Sequence, residues 1–144
     1  MASLPVRRIV LRTLCQATEE ENRVRHALNA AAPRGGDRRE AVMGQFGQPI
    51  VILTRMAERA DDLTATWGRW REAGLFPSLL ANLERRIDED GVLHFRLDKQ
   101  EAFRDRLVLA EAADSIDIHV KLKAYPASPE EIRRVARTLL EGAV

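Results

Sequence analysis

Few residues in this chain can do chemistry: Cys15, the histidines His26, His94 and His119, and the acidic triplet Asp88-Glu89-Asp90. Cys15 is alone, so neither an internal disulfide nor a cysteine-based metal site can be built. Its apolar, strand-like setting reads as a buried thiol, and nothing in the spacing ties a histidine to it as a base. The triplet runs into Gly91, which reads as a hairpin or helix-to-strand turn before it reads as a divalent-ion site. No P-loop, dinucleotide fingerprint, nucleophile elbow or zinc-protease motif occurs. These observations predict no enzyme, no cofactor and no metal. A small hydrolase using His94 and His119 is the weakest of the readings considered.

The two histidines matter more for where they stand. In "DGVLHFRLDKQEAF" (90–103), Leu93, Phe95 and Leu97 alternate with Val92, His94, Arg96 and Asp98, and the polar Lys99, Gln100 and Glu101 follow. In "SIDIHVKLKAY" (115–125), Ile116, Ile118, Val120, Leu122 and Ala124 alternate with Asp117, His119, Lys121 and Lys123. Alternation of this kind marks half-buried strands, so both histidines point outward beside Arg and Lys. Solvated or base-stacking histidines fit these positions better than ligands or bases, because no carboxylate motif frames them.

Around these strands the pattern predicts one α+β domain over 1–144. The 144 residues suffice for a single core. Apolar residues make up 45% and charged residues 31%, an ordinary globular balance. "VRRIVLRTLCQA" (6–17) reads as a strand. The next segment reads as a helix with a Thr18/Glu21 capping box, ended by Pro33. Residues 34–47, rich in Gly and Arg, read as a flexible loop. "IVILTRMA" (50–57) is a continuous apolar run, hence a buried strand. Leu63, Trp67 and Trp70 form a helical stripe ended at Gly74, with the tryptophans expected in the core or at a dimer contact. Leu79, Leu80, Leu83 and Ile87 form a second stripe. "RLVLA" (106–110) reads as a short strand. "SPEEIRRVARTLLEGA" closes the chain as a helix, with Ser128 as N-cap and Pro129 at its first position. Strands that follow one another imply hairpins, so the expected architecture is two layers. A mixed or antiparallel sheet of about four to five strands carries helices on one face.

Two layers leave a sheet face uncovered. Its outward residues would be Arg8, Arg12, Arg55, His94, Arg96, Asp98, Asp117, His119, Lys121 and Lys123. The acids concentrate instead at "TEEE", "ERADD", "DED" and "PEE", mostly where helices start and carboxylates complement the helix dipole. A chain of net charge +1 thus presents a basic face, the electrostatic footprint that phosphate backbones seek. A solvated sheet face is the plain alternative. Phe46, between Gly44 and Gly47, is the aromatic best placed to stack on a base or anchor its loop. No apolar run approaches the roughly 18 residues that span a bilayer. Together with the lack of a leader pattern, this predicts a cytoplasmic protein.

The segments "ATEEENRVRHAL", "GQFGQPIVIL", "LERRIDEDGVLHFRLDKQEAF" and "IDIHVKLKAYP" resemble the archaeal RNA-binding family linked to the exosome gene cluster. Its members are similar in fold to the five-type large-subunit ribosomal protein that binds the small ribosomal RNA. The resemblance covers about residues 6–142. It implies a non-enzymatic two-layer RNA-binding domain, an accessory of RNA processing, the exosome or ribosome assembly. It points to Arg96, Asp98, Lys99 and Gln100 in the central motif and to Lys121, Lys123 and Tyr125 at the last strand. In two places the chain departs from the family pattern. Arg104-Asp105-Arg106 stands where a glycine is usual, and Gly47-Gln48-Pro49 replaces Gly-Asn-Pro. Arg8, Arg12, Arg96, Lys121 and Lys123 are the expected phosphate contacts, Lys99 and Gln100 the expected contacts to phosphate, ribose or base edges. Arg55, His94, His119 and Tyr125 complete the predicted RNA surface. The alternative is a protein-interaction module that docks through the sheet face or the Trp-bearing helix. Dimerisation is compatible with either.

Overall fold

The computed structural model describes residues 4–111 and 114–142. The ends of the expected domain, 1–3 and 143–144, lie outside the described residues. The strands are β1 (Val6–Cys15), β2 (Gly36–Met43), β3 (Pro49–Ala57), β4 (Val92–Asp98) and β5 (Ser115–Leu122). They form one antiparallel sheet in the order β2-β3-β1-β5-β4. The helices are α1 (Glu21–Ala31), α2 (Ala60–Glu72), α3 (Phe76–Ala81), α4 (Leu83–Arg86), α5 (Lys99–Phe103) and α6 (Pro129–Leu140). The α+β architecture and the antiparallel five-stranded sheet agree with the reading of the sequence.

β1 lies at the centre, paired with β3 on one side and β5 on the other. Ile9, Leu11, Thr13 and Cys15 are buried towards the helices, so Arg8, Val10, Arg12 and Leu14 must face the other way. A register shift between Val6 and Arg8 leaves Arg7 and Arg8 both exposed. Thr13, the polar member of the buried row, donates its hydroxyl to the Ser115 carbonyl at 3.0 Å. Cys15 is buried as expected, and burial pushes its thiol pKa up.

The helical side of the core follows the stripes in the sequence. α1 buries Val24, Ala27, Leu28 and Ala31, and α2 buries Leu63, Thr66, Trp67 and Trp70. α6 buries Ile132, Val135, Ala136, Leu139 and Leu140. Trp70 donates its indole N–H to the Ala31 carbonyl at 2.8 Å and meets Phe95 of β4 edge-on at 5.1 Å. Both tryptophans are therefore core residues. Ser128 caps α6 by accepting from the Glu131 amide at 3.2 Å. The Thr18/Glu21 box does not form: α1 starts after Glu20 with no side-chain cap, and Glu21 instead binds Arg25 and Arg39.

Four further expectations are corrected. Residues 36–43 form the edge strand β2, paired along its whole length with β3. The glycines at 35, 44 and 47 punctuate this hairpin: Gly35 and Gly47 take positive φ, and the Gly44 amide donates to the Gln48 carbonyl. Arg55 does not face outward. It lies opposite Leu11, 8% exposed, with Asp37 clasped by Nε and Nη2 at 2.7 and 2.9 Å and Nη1 donating to the Ala32 carbonyl. The apolar run 50–57 conceals its phase. Val51, Leu53, Arg55 and Ala57 point to the helices and Ile50, Ile52, Thr54 and Met56 away, so a one-residue shift in phase moves every side chain to the other face.

Lys99 is the third correction. It is 3% exposed, and its ammonium donates to the Leu14 carbonyl at 2.8 Å, to Glu19 at 2.9 Å and to Asp114 at 2.7 Å. All three protons are spoken for. In the turn after α5, within Arg104-Asp105-Arg106, Asp105 adopts φ +63°. Aspartate tolerates this region through its short polar side chain, here 3.1 Å from His26 Nε2. Residues 107–110 do not make a separate strand. They bridge to β4 through Leu97 and Leu109 and cover part of its edge.

Lys99 and Asp114 make stability depend on pH at both ends of the range. Burial depresses its pKa, but the bonds to Asp114 and Glu19 outweigh burial and raise it above the ordinary 10.5. The carboxyl of Asp114 moves the other way: burial pushes it up, yet the bonds from Lys99 and Gln100 hold it below 3.8. The lysine's contribution is therefore complete below pH 10.5 and lost as pH rises through the folded value. The aspartate's is complete above pH 3.8 and lost as pH falls through its folded value. Lys99→Ala should destabilise the protein by about 2–4 kcal/mol. Lys99→Met, which keeps the stem, should flatten stability against pH at both ends. Urea unfolding between pH 3 and 11 checks both, and an unchanged pH profile in Lys99→Met would contradict the assignment. A second expectation concerns β2. The Gly44-to-Gln48 bond sets the ladder phase, so the amides of Arg38, Glu40 and Val42 face β3 and those of Asp37, Arg39 and Ala41 face the free edge. Hydrogen exchange should alternate, slow at the even positions and fast at the odd ones. A mobile loop would exchange uniformly fast.

Candidate nucleic-acid interface

The uncovered face is built by three rows of residues across β1, β5 and β4. Arg12, Asp117 and Arg96 stand opposite one another, as do Val10, His119 and His94, and then Arg8, Lys121 and Val92. Adjacent strands lie about 4.8 Å apart and successive rows about 6.8 Å. Arg8, Arg12, Arg96, Lys121 and the two histidines thus share one surface. Sequence reasoning placed all six on it, and the alternation of buried and exposed positions in β1, β4 and β5 holds them there. Lys123 continues the Lys121 side just beyond β5, and Tyr125 follows it, 97% exposed.

The charges on this face are not equally free. Arg96 pairs with Asp117 at 3.0 Å, and the Lys121 ammonium donates to the Asp90 carbonyl. Arg8, Arg12 and Lys123 form no ion pair among the described residues. Arg38, on the β2 edge and exposed, faces the same way opposite Thr54 and was hidden in the segment read as a loop. Gln100 is exposed but donates to Asp114 at 3.2 Å. Asp98 caps α5, accepting from the Glu101 amide at 2.9 Å, and so orients neither Lys99 nor Arg96. Arg55 and Lys99 stand apart from this surface for the reasons given above.

His94 and His119 sit opposite each other with ring centroids 4.3 Å apart, at 66° between planes. His94 Nε2 is 2.6 Å from Asp88. Burial lowers the pKa of His119, and His94 lowers it further, against the opposing pull of Asp117 and Asp88. The shift favours the neutral form of His119. Asp88 also accepts the amides of Asp90 and Val92 at 2.9 and 3.0 Å. The acidic triplet thus makes the turn that the sequence suggested and fixes one end of β4. Burial pushes the Asp88 carboxyl up, but the bonds from His94 and these amides outweigh it and hold the pKa below the usual value.

Sequence reasoning missed Arg85 and Arg86. They lie between Leu83 and Ile87 of the second helical stripe, whose spacing assigns them no role. In the structure α4 doubles back, because Ile87 bridges to Leu93. Both arginines then line a cleft of about 450 Å³ together with His94, Arg96, Asp117 and His119. The turn signal at "DEDG" could have shown that the chain reverses here, though not which side of β4 it covers. The rest of the face is largely apolar, with Glu40 of β2 opposite Ile52 as its carboxylate. Val42 of β2, Ile50, Ile52 and Met56 of β3, and Leu14 of β1 share it with Thr54. Phe46, at the β2–β3 turn, is 88% exposed.

A family model described as RNA binding matches residues 8–122. A protein of Pyrococcus abyssi named an RNA-binding protein is 27% identical over 150 residues, covering 96% of each chain. A UPF0201 protein of Methanopyrus kandleri is 26% identical over 131 residues, covering 90% of this chain and 82% of its own. The solved structure of a DUF54 protein from Methanothermobacter thermautotrophicus superposes with a TM-score of 0.82 at 30% identity, over 94% of this chain and 98% of that one. The match to the family model runs from Arg8 on the first strand to Leu122 at the end of the last, and on it the chain belongs to the RNA-binding family.

Proposed function

We propose that this protein binds RNA through the open face of its sheet, contacting the phosphate backbone and performing no catalysis. Arg8, Arg12 and Lys123 are the phosphate contacts that need no ion pair to break. Lys121 and Arg96 join them by exchanging a protein acceptor for a phosphate oxygen. His119 and His94 are the stacking groups, with Tyr125 at the rim. One observation carries the reading. Arg55, Arg39 and Lys99 elsewhere are each paired with a carboxylate, while Arg8 and Arg12 form no ion pair among the described residues and stand on the face turned away from the buried core row of β1. The resemblance of the central and last strand motifs further supports an accessory role in RNA processing, with the exosome or in ribosome assembly, in the cytoplasm.

A second reading rests on the apolar part of the same face. Ile50, Ile52, Met56 and the exposed Phe46 suit a protein partner better than a phosphate chain. Salt separates the two. With about five cations on phosphates, the logarithm of affinity for single-stranded RNA should fall against the logarithm of salt with a slope on the order of −3 to −4. Arg8→Ala with Arg12→Ala should reduce that slope by up to about 1.4 and weaken all sequences alike. Both side chains are exposed, so each change should alter stability by no more than about 0.5 kcal/mol. Titration of wild type and the double variant from low to moderate salt measures this. A slope near zero, or a double variant equal to wild type, would reject the phosphate-tracking face and favour the protein partner.

A further inference from the structure

We infer that the cleft between α4 and the β4–β5 pair is a binding site for a phosphomonoester, presented by the phosphorylated end of an RNA strand. The source of the phosphate rests on the RNA-binding reading; the site itself rests on the cleft. The edge of β4 is covered at one end by Asp88, whose amide donates to the Val92 carbonyl. At the other end Asp98 bonds to Val108 and Ala110 to Arg96. Between these attachments the edge is open at His94, and the cleft lies there. Antiparallel alternation turns the His94 amide towards this gap, because Val92, Arg96 and Asp98, of the same parity, bond on that side. A backbone donor is thus offered beside five cationic or proton-accepting side chains: Arg85 and Arg86 from α4, His94 and Arg96 from β4, and His119 from β5.

The charge is unbalanced. The carboxylates lining the cleft are Asp117, already paired with Arg96 at 3.0 Å, and Glu111. Neither Arg85 nor Arg86 has a carboxylate partner among the described residues. Arg86 Nε is moreover buried without any hydrogen-bond partner. A buried charged donor left unmet is costly, and an anion in the cleft would meet it. Two guanidiniums and a backbone amide suit a doubly charged terminal phosphate better than a singly charged internal one. The walls favour an end as well, since α4 and residues 110–111 flank the cleft at the sheet edge. The volume, about 450 Å³, is within the range that holds a small ligand such as one nucleotide.

The test uses one short single-stranded RNA in three forms, with a 5′-phosphate, a 3′-phosphate or hydroxyls at both ends, followed by fluorescence anisotropy. Orthophosphate alone is titrated against the protein by calorimetry. One phosphorylated form should bind about tenfold tighter than the hydroxyl form. Arg85→Ala with Arg86→Ala should abolish the preference while leaving hydroxyl-ended RNA bound as before. Arg8→Ala with Arg12→Ala should weaken all three forms and keep it. Arg86 is partly buried, so Arg85→Glu, at an exposed position, serves as the variant that must fold; it should remove the preference too. RNA binding with no preference for either end, or a preference that survives in Arg85→Glu, would overturn the site and leave the RNA reading intact. Orthophosphate binding lost in Arg85→Glu, with no RNA bound at all, would support the site and overturn the RNA reading.

Discussion

The phase of β1 is the constraint on which the rest depends. As the central strand it pairs on both edges, so its in–out alternation is transmitted to β3 and β5, and through β5 to β4. Burying Ile9, Leu11 and Cys15 against the helices leaves Arg8 and Arg12 no place but the open face. The same register sets His119 beside Val10 and Lys121 beside Arg8. A slip of one residue would bury two arginines and expose the core row at once, so the arrangement of the cations is as secure as the core itself.

A net charge of +1 gives no hint of this surface. The fold separates two populations of cations. One is structural: Arg55 ties β3 to β2 and to the end of α1, Lys99 ties β1 to the loop before α1 and to Asp114, and Arg39 ties β2 to Glu21. Arg55 and Lys99 are largely removed from water and paired, while Arg39 makes its pair at an exposed position. The other population stands on the open face and at the cleft, where the carboxylates are fewer than the guanidiniums. A phosphate ligand can use only that second population without breaking the fold.

The open face also has two chemical halves. Over β5 and β4 it is cationic with a pair of histidines meeting edge to face, and over β3 it is mostly apolar. Stacking platforms on open sheets commonly use aromatic rings at adjacent strands. His94 and His119 are the rings at adjacent strands here, and burial together with the neighbouring His94 lowers the pKa of His119. The apolar half accounts for why a protein partner remains a coherent second reading of the same surface.

Much of this was legible in local pattern. Period-two alternation in 92–98 and 115–122 placed His94, Arg96, His119 and Lys121 on one face, and helical stripes identified the tryptophans, α1 and α6 as core. These signals are local because each strand or helix buries its own side and so writes that burial into its spacing. Three features depended on residues distant in the chain. Arg55 hid in an apolar run whose phase only its partner strands decide. Lys99 looked like a surface lysine until Glu19, Asp114 and the Leu14 carbonyl were gathered round it. Residues 36–43 look like a loop because an edge strand buries little and so carries almost no hydrophobic period; their identity comes from pairing with β3. The cleft belongs to the same class. Arg85 and Arg86 reach it only because Ile87 folds α4 back onto β4, and a sequence can signal that a chain turns without stating what it turns towards.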